Sequence, residues 1–462
     1  MLARAEILAL APIHRLIQTF NEALEGLGVL APQHEIERWS VLVDEAMAGR
    51  ARSFHSHEHI FEFTLEGDPI QSLAGLFHDV VYVQVDQGLP ERIAPILQPY
   101  LLAEPGVLGP VSESDLPGQL VYQLFGVEPG ARLSPFNGLN EVLSTLVAAH
   151  ELSRQLSLAR IAEVVCCIEA TIPFRSLDAP GGTPFERLAE RLRRANTRFA
   201  LGFDEAGIRK AICRAVRVGL RDVEGFASED PARFLDNTWK LLPETNPMLR
   251  MPDVYSIRDY RLALQKMEGF LGSLPAERVF PRFQDEPPTA EYQRLVALAA
   301  RNLDVAGRYL RAKLYSMALL EALAIETGGD APMELFTGGL PLPNGAPMRR
   351  LEHHLPPAQD LAQDQEPTVR ELLVSGRASD TTFDLRASPT TALLYRHLGE
   401  AAIEAGMAQA RLFFQGKLSA KNFLRSQPSV ATVPLARATA CLAVTRTEAL
   451  EALANEFDVP RA

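Results

Sequence analysis

The chain contains few cysteines and none in a paired spacing. Its four cysteines, in 462 residues, are Cys166, Cys167, Cys213 and Cys441. The missing C-x2-C spacing argues against a zinc knuckle, and the low number argues against a disulfide framework. The sequence therefore predicts buried free thiols in a reducing compartment.

Long apolar runs and blocks of basic residues are also missing. No uninterrupted apolar stretch reaches the roughly 18 residues that a membrane-spanning helix needs, so no membrane partner is expected. The net charge is −12. An acidic chain without a lysine- or arginine-rich block is a poor ligand for nucleic-acid polymers or anionic lipid. The first residues, "MLARAEILALAPIHRL", include Glu6 and lack a cleavage site, so we expect no signal peptide and a cytoplasmic location.

Alternating β-branched runs, which are typical of strands, are absent as well. Alanine, leucine, arginine and glutamate dominate instead, and this composition predicts an all-α protein. Asp68 followed by Pro69 is typical of a helix start, and "TPFE" at 183–186 is a capping box. Residues 203–226 carry an apolar stripe at helical spacing. A long helix is expected from about Thr289 to Thr327, where two glycines follow.

The length of the chain predicts two domains, because a single hydrophobic core rarely supports so many residues. Residues 275–288 are rich in proline and charge, which is typical of a linker. Residues 338–367 contain six prolines and an Asn344-Gly345 turn, which indicate a long loop. We therefore expect a helical domain at 1–275 and a second one at 276–462.

Three histidines crowd into "FHSHEH" at 54–59. His55 and His59 are four residues apart and share one face of a helix, whereas His57 points elsewhere, into solvent. This spacing suits a pair of metal ligands. It suits equally a polar patch on the protein surface.

A fourth histidine lies in an apolar segment. The stretch from 69 to 82 is predicted as a helix that buries an apolar stripe, and His78 and Asp79 lie beside that stripe. An unpaired buried charge is costly, so these two side chains need a partner. A metal ion satisfies both, and Gly75 leaves room for a group to approach. A buried, hydrogen-bonded His–Asp pair is the structural alternative.

Four segments of the chain, in their order along the sequence, resemble the HD superfamily of metal-dependent phosphohydrolases. The resemblance covers about residues 35–226. The segments that carry it are "FHSHEH" (54–59), "FHDVVY" (77–82), "NEVLST" (140–145) and "IEAT" (168–171). It implies a helical bundle around a metal ion, followed here by a second helical domain for which we identify no family.

The resemblance also implies the ligands. His59 and the doublet His78–Asp79 correspond to ligands, with His55 beside them as a further metal-site residue. The distal aspartate corresponds to Asp222. The alternative for Asp222 is an exposed residue paired with a neighbouring arginine, either Arg217 or Arg221.

Three further residues are candidates for catalysis. Glu141, near a helix start, is expected to support the metal ligands or to orient water. The alternative is an ordinary glutamate whose charge interacts favourably with the helix dipole. Arg52 and Arg175 are candidates for stabilising the charge of a phosphate. After Thr171 the chain has Phe174 and Arg175 where the family tends to have a histidine, a departure that argues against a second metal ion.

These features predict a metal-dependent phosphohydrolase in which Asp79, Glu141 and Arg175 take part in catalysis. The expected cofactor is a divalent Mn, Fe, Zn or Mg ion, and the expected partner is a small phosphate-containing substrate, a phosphoester or a nucleotide. One alternative is a diiron oxygenase of the same superfamily. The other is a non-catalytic interaction module that the metal stabilises. No oligomeric state is indicated.

Overall fold

The protein is all-α, as predicted. The computed structural model describes residues 10–64, 67–176, 182–251, 254–339 and 348–458. These residues form 20 α-helices and no β-strand, and extended pairing within them is limited to isolated bridges such as the one between Leu101 and Leu108. Among the same residues, no helix has both the length and the hydropathy that crossing a bilayer requires.

The chain divides into two compact units that are not consecutive in sequence. The first unit comprises Met1–Ala227 and Pro275–Ala299, and the second comprises Ser228–Leu274 and Ala300–Ala462. The proline-rich segment 275–288 is not an exposed linker, since Val279, Phe280 and Phe283 are buried. A boundary at residue 275 between separately folding domains stays a prediction.

Among the described residues, eleven α-helices of the first unit lie before residue 227. They are α1 (Pro12–Gly26), α2 (Gln33–Met47), α3 (His57–Glu62), α4 (Pro69–Phe77), α5 (Val83–Asp86), α6 (Ala94–Leu97), α7 (Leu116–Phe125), α8 (Leu139–Leu152), α9 (Leu158–Glu169), α10 (Pro184–Phe199) and α11 (Glu205–Asp222). Short 3-10 turns cover Gln98–Tyr100, Glu224–Ala227 and Ala276–Arg278.

The second unit holds α12 (Pro231–Thr245), α13 (Ile257–Ser273), α15 (Met333–Thr337), α16 (Pro367–Ser375), α17 (Pro389–Phe414), α18 (Ala420–Ser426), α19 (Ser429–Ala440) and α20 (Thr447–Phe457). Helix α14 (Thr289–Thr327) has the predicted bounds, and its residues from Ala300 onward belong to this unit. The predicted loop 338–367 contains the 3-10 turn Leu351–His354, and its Asn344-Gly345 turn lies outside the described residues.

Two almost fully buried helices form the centre of the first unit. Every residue of α4 from Ile70 to Phe77 is buried, and so is every residue of α9 from Ile161 to Glu169. Helix α4 contacts α1, α3, α8, α9 and α11, which explains why its sequence is apolar on all sides. The adjacent thiols of Cys166 and Cys167 are buried here as predicted, whereas Cys441, in the second unit, is exposed.

The start of α4 is fixed by charge as well as by its cap. The Asp68 carboxylate accepts hydrogen bonds from the amides of Ile70 and Gln71, as an N-cap does. Its second oxygen lies 2.9 Å from the Nε atom of Arg214 on α11. Arg214 also pairs with Glu163 of α9. The ion pairs therefore connect the three helices that position the His78–Asp79 doublet.

Helix α4 ends earlier than the sequence predicts. It stops at Phe77 instead of Tyr82, and His78 is its C-cap. The prediction of one helix over 69–82 was therefore wrong. The backbone turns after His78 because polar groups elsewhere in the first unit bind it, as described below.

Gly75 provides room for a neighbouring side chain. A Cβ atom at this position would lie 2.2 Å from Cβ of Phe63, which is buried between α3 and α4. The Phe63 ring lies 4.6 Å from the ring of His78 and 5.6 Å from that of His59, measured between centroids. The group that approaches Gly75 is thus a phenylalanine that packs against both imidazoles.

We predict that Gly75→Ala destabilises the protein by about 1–3 kcal/mol, because the added methyl group overpacks the contact with Phe63. Gly269→Ala is the matched control: it lies in α13, where an added Cβ atom would have no heavy atom within 4 Å, and it should be neutral or stabilising. Denaturant unfolding measures both. Equal effects of the two substitutions would show that the contact with Phe63 does not exclude a larger side chain at position 75.

Candidate metal centre

Four side chains from three parts of the first unit converge on one point. His59 comes from α3, His78 and Asp79 follow the end of α4, and Asp222 is the last residue of α11. Their positions depend on close helix packing: a Cβ atom on Gly219, one turn before Asp222, would lie 2.7 Å from the carbonyl oxygen of Ala170.

The donor atoms have the spacing of ligands around a single ion. The Nε2 atoms of His59 and His78 are 3.3 Å apart. Asp222 Oδ1 lies 3.2 Å and 3.5 Å from these two nitrogens, and Asp79 Oδ2 lies 3.5 Å and 3.0 Å from them. Donors bound about 2.0–2.2 Å from one ion lie about 3.0–3.5 Å apart in tetrahedral or octahedral coordination.

The second nitrogen of each imidazole has its own acceptor. His78 Nδ1 lies 2.8 Å from the carbonyl oxygen of Gly75, which can only accept, so the neutral ring donates there and Nε2 carries a lone pair. His59 Nδ1 lies 3.4 Å from the carboxylate of Glu62. In their neutral forms, both imidazoles therefore direct lone pairs at each other and at two carboxylates.

One carboxylate oxygen at this point lacks a regular hydrogen bond. Asp79 Oδ2 is buried and accepts none of normal geometry, although His78 Nε2 is 3.0 Å away. Burial opposes ionisation, but the charges of His78 and His55 hold the pKa of Asp79 well below its usual value. A buried, ionised oxygen of this kind is what a cation would satisfy.

Among the described residues, Asp222 pairs with imidazoles and with no arginine. The alternative from the sequence, an exposed ion pair, is not what the structure shows, since Arg217 pairs with Glu286 and Arg221 with Glu224. Although burial raises it, hydrogen bonds from His59 and His78 lower the pKa of Asp222. His59, His78 and Asp222 form a group that could hold a metal ion.

The surroundings favour the protonated forms of both histidines when no metal is bound. Burial lowers the pKa of both imidazoles, but the carboxylates of Asp222 and Glu62 more than offset this and raise the pKa of His59 to about 9. Asp79 and Asp222 likewise raise the pKa of His78 well above its usual value. The site thus requires positive charge at its centre, from protons or from a cation.

Glu141 belongs to the same electrostatic unit. It lies in the first turn of α8, and its Oε2 atom is buried without a hydrogen-bond partner. Burial first, and then the charges of Asp79 and Asp222, raise the pKa of Glu141 to about 8. A carboxyl group with this pKa can hold a proton near neutral pH, and the catalytic role of Glu141 stays a prediction.

The rest of the "NEVLST" segment fixes the backbone after the doublet. The Ser144 hydroxyl accepts a hydrogen bond from the amide of Val81 at 3.0 Å. Asn140 accepts one from the amide of Val83 and donates one to Gln84. These contacts satisfy backbone groups that would otherwise continue α4, which is the physical reason for its early end.

The other two histidines of the cluster have separate surroundings. The ring of His55 lies 4.3 Å from that of Tyr82 and 5.8 Å from that of His59, so His55 borders the site and lies outside the group of close donors. His57 does not simply face solvent, as the sequence predicts: its Nε2 atom lies 3.0 Å from Asp44 Oδ1.

The donors of Arg52 bind other groups of the protein. It is buried, pairs with both oxygens of Asp86 and donates to the carbonyl oxygen of Asp79 at 2.6 Å. The prediction that Arg52 meets a phosphate was therefore wrong, because its donors hold the backbone of the doublet. The sequence contains no signal for this, since Asp86 lies 34 residues away.

Arg175 lines a cleft that also contains Asp222. The cleft has a volume of about 370 Å³ and includes Thr171. Arg175 is held by Glu169, with Nη1 2.6 Å from Oε1, and Arg191 shares that carboxylate. Arg278, which sequence reasoning missed, lines the same cleft and is exposed, and its side chain forms no ion pair among the described residues.

Comparison of the chain with family models, with curated proteins and with solved structures finds no match. The superfamily resemblance therefore stays a prediction that depends on the four segments. Independently of it, the structure brings His59, His78 and Asp79 together with Asp222. Among the described residues, His59, His78 and Asp222 are the group of histidine and acidic side chains close enough to hold an ion, and Asp79 lies beside His78 of that group.

We predict that metal binding strengthens as pH rises from about 6.5 to about 9. The raised pKa of His59 means that a proton occupies its Nε2 atom at neutral pH and must leave when a metal binds. For the same reason, protonated His59 stabilises the metal-free fold fully below pH 6.5, and this contribution is lost as pH rises through about 9.

Thermal denaturation with chelator and with excess Mn²⁺ measures this difference across the pH range. The stabilisation by metal should grow with pH. His57→Gln is the matched control, because His57 pairs with Asp44 outside the donor group, and it should leave the pH dependence unchanged. A metal effect that is constant or shrinks with pH would contradict the assignment.

Proposed function

We propose that the first unit is a metal-dependent phosphohydrolase that acts on a small phosphoester or nucleotide. The observation that carries the proposal is that two imidazole nitrogens each lie 3.0–3.5 Å from two carboxylate oxygens, and that one of these carboxylates, Asp222, lines a cleft that also contains arginine. Metal-assisted hydrolysis of a phosphoester needs both an ion site and a cation for the phosphate.

His59, His78, Asp79 and Asp222 would hold the ion. Two nitrogen and two oxygen donors suit Zn, Mn or Fe better than Mg, which prefers oxygen ligands alone. When bound, such an ion supplies Lewis-acid chemistry and lowers the pKa of water. Four protein donors leave room in a five- or six-coordinate shell for water or substrate.

Two further groups of the chain take part in the proposed reaction. Glu141 holds or accepts a proton at its buried Oε2 atom, a role that its raised pKa supports. Arg278 binds the phosphate from the open side of the cleft, because its guanidinium group has no ion-pair partner among the described residues. Arg175, which Glu169 holds in place, adds a second positive charge to the lining of the cleft.

The donor group favours one ion over two. A diiron oxygenase needs further histidines or carboxylates for a second ion, and the described residues contain one suitable group. A non-catalytic module would keep the metal and lack turnover. Metal analysis combined with an assay therefore separates the three hypotheses.

We predict that the purified protein contains close to one equivalent of Zn, Mn or Fe and hydrolyses a phosphoester in a panel of nucleotides and simple esters. His78→Ala and Asp79→Ala should each remove both metal and activity, because losing one ligand of a small set usually abolishes a site. Elemental analysis and phosphate release measure this. Two iron atoms with a charge-transfer band in air would favour the oxygenase. Bound metal without turnover would favour the non-catalytic module.

We predict different kinetic effects at two residues outside the donor group. Glu141→Gln should retain the metal and lower kcat by ~100-fold, because it removes the proton-transfer group. Arg278→Ala should mainly raise KM, because it removes a phosphate contact. Arg154→Ala, another partly exposed arginine outside the cleft, is the control. Full activity of Glu141→Gln would assign proton transfer to another group.

A further inference from the structure

The second unit contains a larger cleft that the proposed hydrolase reaction does not use. Its volume is about 730 Å³, and all of its lining residues belong to the second unit. Lys313 of α14 and Asp384 contribute charge to its lining, and the first turn of α17 forms part of its wall. No feature of the sequence pointed to this cleft.

A single carboxylate gathers the donors beneath the cleft. Asp384 Oδ2 accepts hydrogen bonds from Lys313 Nζ at 2.7 Å, from the Tyr260 hydroxyl at 2.7 Å and from Trp239 Nε1 at 2.9 Å. Arg377 Nη1 lies 3.3 Å from the same oxygen. Lys313 and Arg377 are both almost completely buried, so two buried cations share one carboxylate.

The donors in this cluster outnumber the acceptors. The Lys313 ammonium group has three N–H donors, and among the described residues Asp384 is the one acceptor it meets. Its other contacts are the faces of Trp239 and Tyr260, at 5.2 Å and 5.5 Å from the ring centroids. The Nε atom of Arg377 is also buried without a partner. Within this cluster two cations share one carboxylate, so Asp384 alone does not satisfy their donors.

The start of α17 is an independent feature that also favours an anion. Its first residue, Pro389, has no N–H group, and the side chain of Ser388 does not cap the helix. The Ser388 hydroxyl instead lies 3.1 Å from that of Tyr309. The first-turn amides of Thr390 and Thr391 are therefore left uncapped where these residues line the cleft. Such a helix end attracts oxyanions.

The remaining lining limits the charge of a ligand. Glu334 and Glu352 are acidic, and Arg350 pairs with Glu352 at 2.6 Å. Two carboxylates repel a polyanion, whereas Met317 and Phe383 provide apolar surface. The lining suits one compact oxyanion on a small molecule whose remainder is apolar or cationic.

We propose that this cleft is a second ligand site, which binds the carboxylate or phosphate group of a small molecule between Lys313 and the first turn of α17. Two independent features carry the proposal: the unmet donors of a buried cation cluster, and an uncapped helix start that lines the same cleft. The site does not depend on the proposed hydrolase function.

Isothermal titration of the full-length, metal-free chain with inorganic phosphate and with propionate, at constant ionic strength, tests this proposal. We expect at least one of the two anions to bind with one site. Thr390→Asp places a carboxylate in the first turn of α17, where it favours the helix but repels the anion, and should weaken binding by about tenfold or more.

Val430→Asp is the matched control, since it adds the same charge at the second position of α19, also in the second unit. It should leave anion binding unchanged. Lys313→Met should abolish binding, and Thr390→Asp keeps the test decisive if that variant does not fold.

Two results would overturn the proposal. Binding of neither anion would show that the cluster around Asp384 only holds the fold together. Binding that both Thr390→Asp and Lys313→Met leave intact would place the anion outside this cleft.

Discussion

The first unit is organised around four electron-rich atoms that repel one another unless a positive charge lies between them. Each of the two imidazole nitrogens lies 3.0–3.5 Å from two carboxylate oxygens, in surroundings from which water is largely excluded. In such surroundings an unbalanced charge is costly. This one requirement explains the shifted pKa values of His59, His78, Asp79 and Asp222, and it is why a metal ion fits.

Much of the surrounding structure serves to hold these atoms in place. Gly75 admits Phe63 against both imidazoles, and Gly219 lets α11 approach the end of α9 so that Asp222 reaches the centre. Arg52 and Ser144 bind the backbone on either side of the doublet. Side chains held by packing and by outer hydrogen bonds lose little freedom when an ion binds, which favours a defined geometry.

The buried polar clusters of the two units have opposite electrostatic requirements. At the centre of the first, acceptors outnumber donors when the imidazoles are neutral, so positive charge, from protons or from a cation, is favoured. Beneath the cleft of the second, Asp384 is surrounded by four donors from two cations, a tyrosine and a tryptophan, so donors are in excess and an anion is favoured. In both, the chemistry follows from counting the hydrogen-bonding groups that burial separates from water.

Local patterns in the sequence determined the helical class, the bounds of α14 and the caps at Asp68 and Thr183, because these depend on neighbouring residues. The same holds for the donors His59, His78 and Asp79, whose residue types and spacing show in two short segments. Asp222 was reached through a resemblance, and the structure places it beside them.

Tertiary structure alone decided the features that join distant parts of the chain. Arg52 is bound by Asp86, residues 278–281 line the cleft that contains Asp222, and the donors around Asp384 come from four segments. The end of α4 at Phe77 belongs with them, since Ser144 and Asn140 supply the competing hydrogen bonds. Contacts between residues far apart in sequence leave no local pattern, so only the folded chain reveals them.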